Sequence, residues 1–480
     1  MTTMFKTPKP AKKRKSGFGR KKATKKKWPK QVPTNSNFKK TVKPLSKIGL
    51  DPGIKITKEF REAYSAIEDT NNHIFLTGRA GTGKSTLLKY FRTKTKKKHV
   101  VLAPTGVAAL NVKGQTIHSF FGFHPKIDKH LVHKAHSDNI DFFKKIDTII
   151  IDEISMVRAD LLDCVDKALR LNRGKPREVF GGVQMIFIGD LFQLPPVVTK
   201  EDSNRFECEY TSPYFFSSEA IADTPIKIIE LNKVHRQKEK TFIDLLNKVR
   251  CGTLGRYDTS KWNACHDEFF DPTDESDYVV HLTTTNKMAQ VRNNFELKRL
   301  GGQEHMLKAQ SMGELSARKM PSEAIIKVKE GARIMFTTND PAKRWVNGSL
   351  GTIRKVRKTA LSKYPTLDVE LETGERVEVA QHKWEIFEYG LNGDSFEEGV
   401  VGSYSQYPIV LAWAVTIHKA QGKTFDKVLI DVGWGAFAHG QMYVALSRCT
   451  TLEGIKLLKP FSPRDVIVDQ AVLDFLHYRT

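Results

Sequence analysis

Eight residues constrain this chain more than any others: "GRAGTGKS", Gly78 to Ser85. They fit G-x-x-x-x-G-K-[ST] at every fixed position, between an apolar run, "NHIFLTG", and a segment with helical spacing. A glycine-rich turn there lets backbone N–H groups close around phosphate oxygens, with a helix N-terminus behind them. Gly78, Arg79, Ala80, Gly81, Thr82, Gly83, Lys84, Ser85 and Thr86 would form this loop. Lys84 reaches the β- and γ-phosphates, and the Ser85 hydroxyl ligates Mg²⁺. "HVVLAP", "DTIIIDE" and "QMIFIGD" are further short β-rich runs separated by helical or loop segments. That alternation predicts an α/β fold with a doubly wound, mostly parallel sheet.

A second motif agrees with the first. Asp152 and Glu153 end the run "IIIDE", where ligands bind in open α/β sheets. Asp152 is placed to hold the Mg²⁺, and Glu153 to orient and deprotonate an attacking water. In "IGDLFQLPP", Gln193 can contact both the water and the γ-phosphate, and Pro195-Pro196 stiffen the loop. Phosphoryl transfer also needs positive charge on the transferring group. Arg236 in "NKVHRQ" and Arg448 in "VALSRC" are candidates, although spacing alone does not separate them from the other arginines. A second Gly-Lys-Thr occurs at Gly422. The position five residues before it is Ile417, where a phosphate loop needs glycine, so the chain is expected to bind one nucleotide.

The charge is uneven. Of the formal +24, residues 1–50 carry +17, with 17 Lys/Arg and no Asp/Glu, which leaves +7 for the other 430 residues. The segment is Lys-rich and poor in large aliphatics, too apolar-poor to offset its ordering entropy, so disorder is expected. "KKRK", Lys12 to Lys15, leaves three readings open: a nuclear import signal, an arm for nucleic-acid phosphates, or a solubilising tail. The five cysteines are scattered without metal-ligand spacing, which argues against a disulfide framework and structural zinc. No apolar run reaches membrane-spanning length, and the N-terminus lacks the apolar core of a secretory signal. An intracellular protein is expected, in the nucleus rather than the cytoplasm if eukaryotic or viral, with no membrane partner. A second α/β set begins near "IKIIELN" and resumes at "VVHLTTTN". "SLGTIRKV", "TLDVELETGERVEVA" and "KWEIFEYG" interrupt it as an antiparallel barrel with a turn at Gly374.

Together, "GRAGTGKST", "APTGVAAL", "GQTIHSFFG", "IIIDEISMV", "FGGVQMIFIGDLFQLPPV", "LNKVHRQ", "LTTTN", "VNGSLGTI", "YPIVLAWAVTIHKAQGKTFDKV" and "YVALSRC" resemble, in order, the PIF-type and RecD-like branch of superfamily one helicases. The resemblance spans Gly78 to Cys449. It implies two RecA-like domains: residues 51–222, with a small insertion at 114–145, and residues 223–343 with 409–480. The barrel at 344–408 interrupts the second. It further implies ATP and Mg²⁺ in the cleft between them, and 5′→3′ movement of a monomeric motor along single-stranded DNA and at single-strand/duplex junctions. Genome maintenance is the associated role, including replication, recombination, repair and telomeres. Arg236 and Arg448 match arginine fingers. Thr105, Gly106 and His118 match positions that approach DNA in the first domain, and Thr284, Asn286, Asn347, Thr416 and His418 are the counterparts in the second. Gln421 and Gly422 face the cleft. Phe120, Phe121, His118, Trp413 and Trp345 are candidate base-stacking groups.

One departure concerns adenine. Phe60 stands where the family carries a base-reading Gln, and either stacks on the base or packs in the core. The rival functions are a translocase with weak unwinding, an RNA-directed helicase, and a protein-remodelling ATPase.

Overall fold

The computed structural model describes residues 57–124, 126–135, 137–267, 279–312, 320, 322–358, 364–392 and 395–479. The Lys-rich tail and its "KKRK" stretch lie outside the described residues.

Six strands form the first sheet: β1 (His73–Gly78), β2 (His99–Ala103), β3 (Gln115–Thr116), β4 (Thr148–Ile151), β5 (Gln184–Ile188) and β6 (Ile226–Leu231). Their order is β3-β2-β4-β5-β1-β6, and every neighbouring pair is parallel. The inner strands are continuous apolar runs because helices cover both faces. Successive side chains point to opposite faces. Ile74, Leu76, Val101, Ile150 and Ile186 meet Phe60, Leu87 and Phe91 on one side. Phe75, Val100, Ile149 and Phe187 enter the larger core on the other.

β6 corrects the expected boundary at residue 223. It pairs with β1 along its whole length, from His73↔Ile226 to Gly78↔Leu231, so the first sheet continues to Leu231. A parallel strand reaches its neighbour through a long crossover, so no local turn marks which sheet it joins. The region expected as an insertion at 114–145 likewise opens with β3, an edge strand of the same sheet.

The second parallel sheet begins with β7 (Val280–Thr283). The helix Asn286–Arg299 follows, and then an antiparallel region. It comprises β8 (His305–Lys308), β9 (Gln310–Met312), β10 (Ile325–Val328), β11 (Arg333–Phe336), β12 (Leu350–Arg357), β13 (Thr366–Leu371), β14 (Arg376–Val379), β15 (His382–Asn392), β16 (Ser395–Gln406) and β17 (Ile409–Leu411). One sheet runs β14-β13-β12-β11-β17, β8 pairs with β10, and β15-β16-β9 form a third sheet. The turn at Gly374 falls between β13 and β14 as expected, with φ +82°. The antiparallel strands start at His305 and end at Leu411, outside the limits 344–408 read from the sequence. β11 escaped that reading because "RIMF" is an apolar run, with Ile334, Met335 and Phe336 all buried. This region has a core of its own, including Leu307, Val328, Ile334, Phe336, Ile353, Val369 and Tyr407.

β18 (Ala414–Thr416), β19 (Val428–Asp431) and β20 (Ile455–Leu457) complete the second parallel sheet in the order β18-β7-β19-β20. The last helix, Gln470–Arg479, packs against the first sheet's layer rather than staying with the second. Phe475 stacks on Phe216 at 4.3 Å and meets Phe75 and Phe215. Among the described residues, no helix is long and apolar enough to cross a membrane.

Candidate nucleotide cleft and nucleic-acid face

β1 ends at Gly78 and the next helix starts at Lys84, so the sequence "GRAGTGKS" becomes a strand-to-helix turn. Gly81 and Gly83 hold φ of +80° and +90°, a region L side chains rarely adopt. Gly81 has a second reason to lack a side chain. A Cβ there would lie 2.6 Å from Cβ of Arg236, which rests against the loop. The neighbouring His235 N–H donates to Gly81 O at 2.9 Å. Lys84 Nζ donates to the carbonyls of Gly78 (2.6 Å) and Arg79 (3.1 Å). Burial lowers its pKa, opposed by the charges of Asp190 and Glu153. Thr82 is buried and donates to Arg79 O, while Ser85 is exposed in the first helical turn and Thr86 is half-buried. Phe60 is 4% exposed, packed in the core beneath Gly83.

The two carboxylates follow β4. Asp152 is buried, with its N–H bonded to Leu102 O at 2.9 Å. Glu153 has φ +52° and ψ +44°, a left-handed conformation rare for a residue other than glycine and recurrent at active sites. Burial raises both carboxyl pKa values. The Glu153 charge adds to the rise at Asp152, whereas Lys84 and Arg448 oppose it at Glu153. Gln421 Nε2 donates to both Glu153 Oε2 and Gln193 Oε1, each at 3.1 Å. The segment that carried the second Gly-Lys-Thr therefore closes on the first site, while Gly422 beside it stays exposed.

Arg448 is 1% exposed and held by neutral acceptors: Val444 O at 2.8 Å, Lys423 O at 3.3 Å and Ser447 Oγ at 2.7 Å. Burial, then the nearby Arg236, pushes its pKa down to about 9. Arg236 donates to Ser447 O at 3.2 Å, and burial lowers its pKa too. The cleft thus gathers Lys84, Arg236, Arg448 and one more arginine, Arg250, against Asp152, Glu153 and Asp190. Two guanidinium groups side by side in a buried place, with cations exceeding carboxylates, suit a polyphosphate.

Sequence reasoning missed four residues here. Asp190 is 1% exposed and accepts from Gln193 Nε2 at 3.3 Å, and Arg250 pairs with it. Tyr443 accepts the Ala80 N–H at 3.1 Å. Gly440, at φ +67°, has no room for a side chain, since a Cβ would lie 2.2 Å from Phe192 O and 2.7 Å from Gln193 O. Asp190 had a signal, as a carboxylate at the end of an apolar strand like Asp152. Arg250 had none.

The nucleic-acid candidates fall on strand ends. Thr105 is exposed and caps the helix Gly106–Asn111, accepting from Ala108 N–H at 3.2 Å. His118 is half-buried in the helix Ile117–Phe121. Thr416 is buried and accepts from Lys419 N–H at 3.2 Å, and His418 follows it, half-buried. Thr284 is buried and donates to Met288 Sδ, while Asn286 is exposed at the start of its helix. Because β18 and β7 are neighbours, Thr416 and His418 lie beside Thr284 and Asn286 at one sheet edge. Asn347 is on the antiparallel region. Its buried Oδ1 has no hydrogen-bond partner among the described residues, and the adjacent Gly348 packs on Lys423 and Thr424. The candidate stacking aromatics mostly belong to cores. Trp345 is buried against Phe336 at 4.4 Å, Phe120 and Phe121 pack with Phe143, and Trp413 is half-buried against the antiparallel core.

Two parallel sheets converging on one phosphate loop define a P-loop NTPase. Residues 55–260 match the family described as PIF1-like helicase. The ATP-dependent DNA helicase Pif1 of Bdellovibrio bacteriovorus is 29% identical, over 88% of this chain and 92% of that protein. The human ATP-dependent DNA helicase PIF1 is 33% identical over 84% of this chain. The chain spans only 60–63% of the length of the human, zebrafish, Xenopus and Emericella relatives. The unliganded Pif1 structure from a Bacteroides species is 34% identical, with a TM-score of 0.80 over 88% of this chain and 97% of that one. A Bacteroides Pif1 bound to single-stranded DNA, also 34% identical, matches with a TM-score of 0.63 over 88% of this chain and 97% of that one. The chain belongs to the PIF1-like helicase family.

Proposed function

We propose that this chain is an ATP-dependent DNA helicase that moves 5′→3′ on single-stranded DNA and acts in genome maintenance. The observation that carries the reading is the Gln421 bridge, in which one side chain from the second half bonds both Glu153 and Gln193. A motor needs such a link, because hydrolysis at one sheet must change the grip of loops on the other. Gln421 lies three residues from His418 and five from Thr416, the candidate DNA contacts, so the chemistry and the track share one short segment. Named relatives are DNA helicases, and one has been seen with single-stranded DNA.

Lys84 and the loop N–H groups would bind the β- and γ-phosphates of ATP. Ser85 and Asp152 would hold Mg²⁺ alongside water and phosphate oxygens, since few protein ligands suffice for that ion. When bound, the ion would supply neutralisation of phosphate charge. Glu153 orients the attacking water and takes its proton, which its raised pKa favours. Gln193 positions the same water against the γ-phosphate. Arg236 and Arg448 stabilise charge on the transferring group. Thr, Asn and His on strand ends suit a sequence-independent grip on the DNA backbone.

The test is unwinding of duplexes carrying either a 5′ or a 3′ single-stranded tail. The expected result is unwinding from the 5′ tail alone, with Lys84→Ala inactive. Unwinding only from the 3′ tail would overturn the polarity. An ATPase indifferent to single-stranded DNA would overturn the motor.

A further inference from the structure

Arg250 sits in the last turn of the helix Lys240–Cys251 and is 8% exposed. Its Nη2 lies 3.3 Å from Asp190 Oδ1, and its guanidinium carbon lies 4.1 Å from the centroid of the Phe192 ring. The alternative carboxylate, Glu230, is farther, at 3.9 Å, and half in solvent. Asp190 has other work. Its Oδ2 accepts from Gln193 Nε2 at 3.3 Å, and Tyr443 OH approaches the same oxygen at 3.5 Å. Its Oδ1 accepts the Phe192 N–H at 3.2 Å. One buried carboxylate therefore fixes the side-chain amide of Gln193, and one buried arginine neutralises that carboxylate while covering the adjoining ring.

We propose that Arg250 is a positioning residue for Gln193, acting through Asp190. The proposal rests on Gln193 contacting the water and γ-phosphate. A planar guanidinium can bond Asp190 with one edge and lie over Phe192 with its face, which a lysine cannot do. Loss of Arg250 leaves Asp190 buried without its cation, a costly state. Lys84, whose charged form Asp190 already favours, is a cation that would be drawn toward it. Gln193 would then lose its anchor, and the Lys84 ammonium its bonds to the loop carbonyls of Gly78 and Arg79. The Tyr443 hydroxyl extends the chain of contacts from Asp190 to Ala80 N–H on that loop.

The test compares Arg250→Gln, Arg250→Lys, Arg250→Gln with Asp190→Asn, Gln193→Ala, and Gln193→Ala with Arg250→Gln in the full chain. The readouts are kcat and KM for ATP with saturating single-stranded DNA. Arg250→Gln is expected to lower kcat at least about tenfold with a much smaller change in KM. Arg250→Lys should recover only part. Adding Asp190→Asn should recover the melting temperature by removing the orphaned charge but only part of kcat, because the amide keeps one acceptor oxygen for two donors, Phe192 N–H and Gln193 Nε2. This comparison keeps the proposal testable even if Arg250→Gln alone folds poorly. Arg250→Gln should add little to Gln193→Ala, because both act through one amide. Full additivity, or a kcat for Arg250→Gln within twofold of the parent, would overturn the proposal. If Gln193→Ala itself leaves kcat unchanged, it is the reading of Gln193 that fails, and Arg250 falls with it.

Discussion

Gly440 shows how one missing side chain sets the geometry of the cleft. It stands at the start of the helix Gln441–Leu446, against the carbonyls of Phe192 and Gln193. Only hydrogen fits there, and φ +67° excludes most alternatives in any case. His439 beside it adds a specific bond. Its Nε2 donates to Leu191 O at 2.7 Å, and its Nδ1 accepts the Asp469 N–H at 2.8 Å, which defines a neutral ring. Gly440→Ala should therefore push the helix that carries Tyr443 away from the Gln193 loop. The expected outcome is a stability loss of about 1–3 kcal/mol and a fall in DNA-stimulated ATPase larger than that loss explains. Thermal melting and steady-state ATPase on the same preparation check it. An enzyme with parental kcat would show that the contact is passive.

At the scale of single elements, β2 carries a titratable group at its start. His99 is pushed down to about 4, chiefly by burial, with Nδ1 3.1 Å from Lys97 O. Burial lowers His73, His418 and His439 in the same direction. Each folded pKa lies below its unfolded value, so the unfolded chain binds protons first as the pH falls. The stability involved is complete above about pH 6.5 and is lost as the pH drops through the folded values. His99 alone accounts for roughly 3 kcal/mol of it. Melting temperature should decline from pH 6.5 to 4, and His99→Gln should flatten part of that slope. A melting temperature constant over this range would refute the argument. The inner strands and the strand-end carboxylates were legible in the sequence, because buried parallel strands are uninterrupted apolar runs and Asp152 and Glu153 end one of them. The placing of β6 was not. "IKIIEL" looks like the start of a new sheet, yet it is the edge of the first, and a pairing reached through a long crossover leaves no local trace. Arg250 was equally hidden, because its partner lies sixty residues away in sequence.

At the scale of the molecule, the halves are one packed body, with one apolar core shared between them from Phe75 to Phe475. Residues 1–50 carry +17 of the formal +24. Should the tail neutralise DNA phosphates, deleting it will lower affinity for single-stranded DNA at low salt. It will also flatten the dependence of log affinity on log salt, by about 0.7 for each phosphate that the tail neutralises. The ATPase maximum at saturating DNA should stay at the parental value. Affinity and slope that do not move would assign the tail to import or solubility instead.

The position of the antiparallel region has a consequence for how this family can vary. The chain leaves the second sheet after β7 and its helix, and it returns at β18, the strand hydrogen-bonded to β7. The strand that receives the returning chain is thus the neighbour of the strand that precedes the departure. The intervening region carries its own core and leans on the main one at Met335 and Leu350. It behaves as a cassette clipped into one crossover. Its length and outer surface can be rewritten while the strand order that aligns Thr416, His418 and Gln421 stays the same.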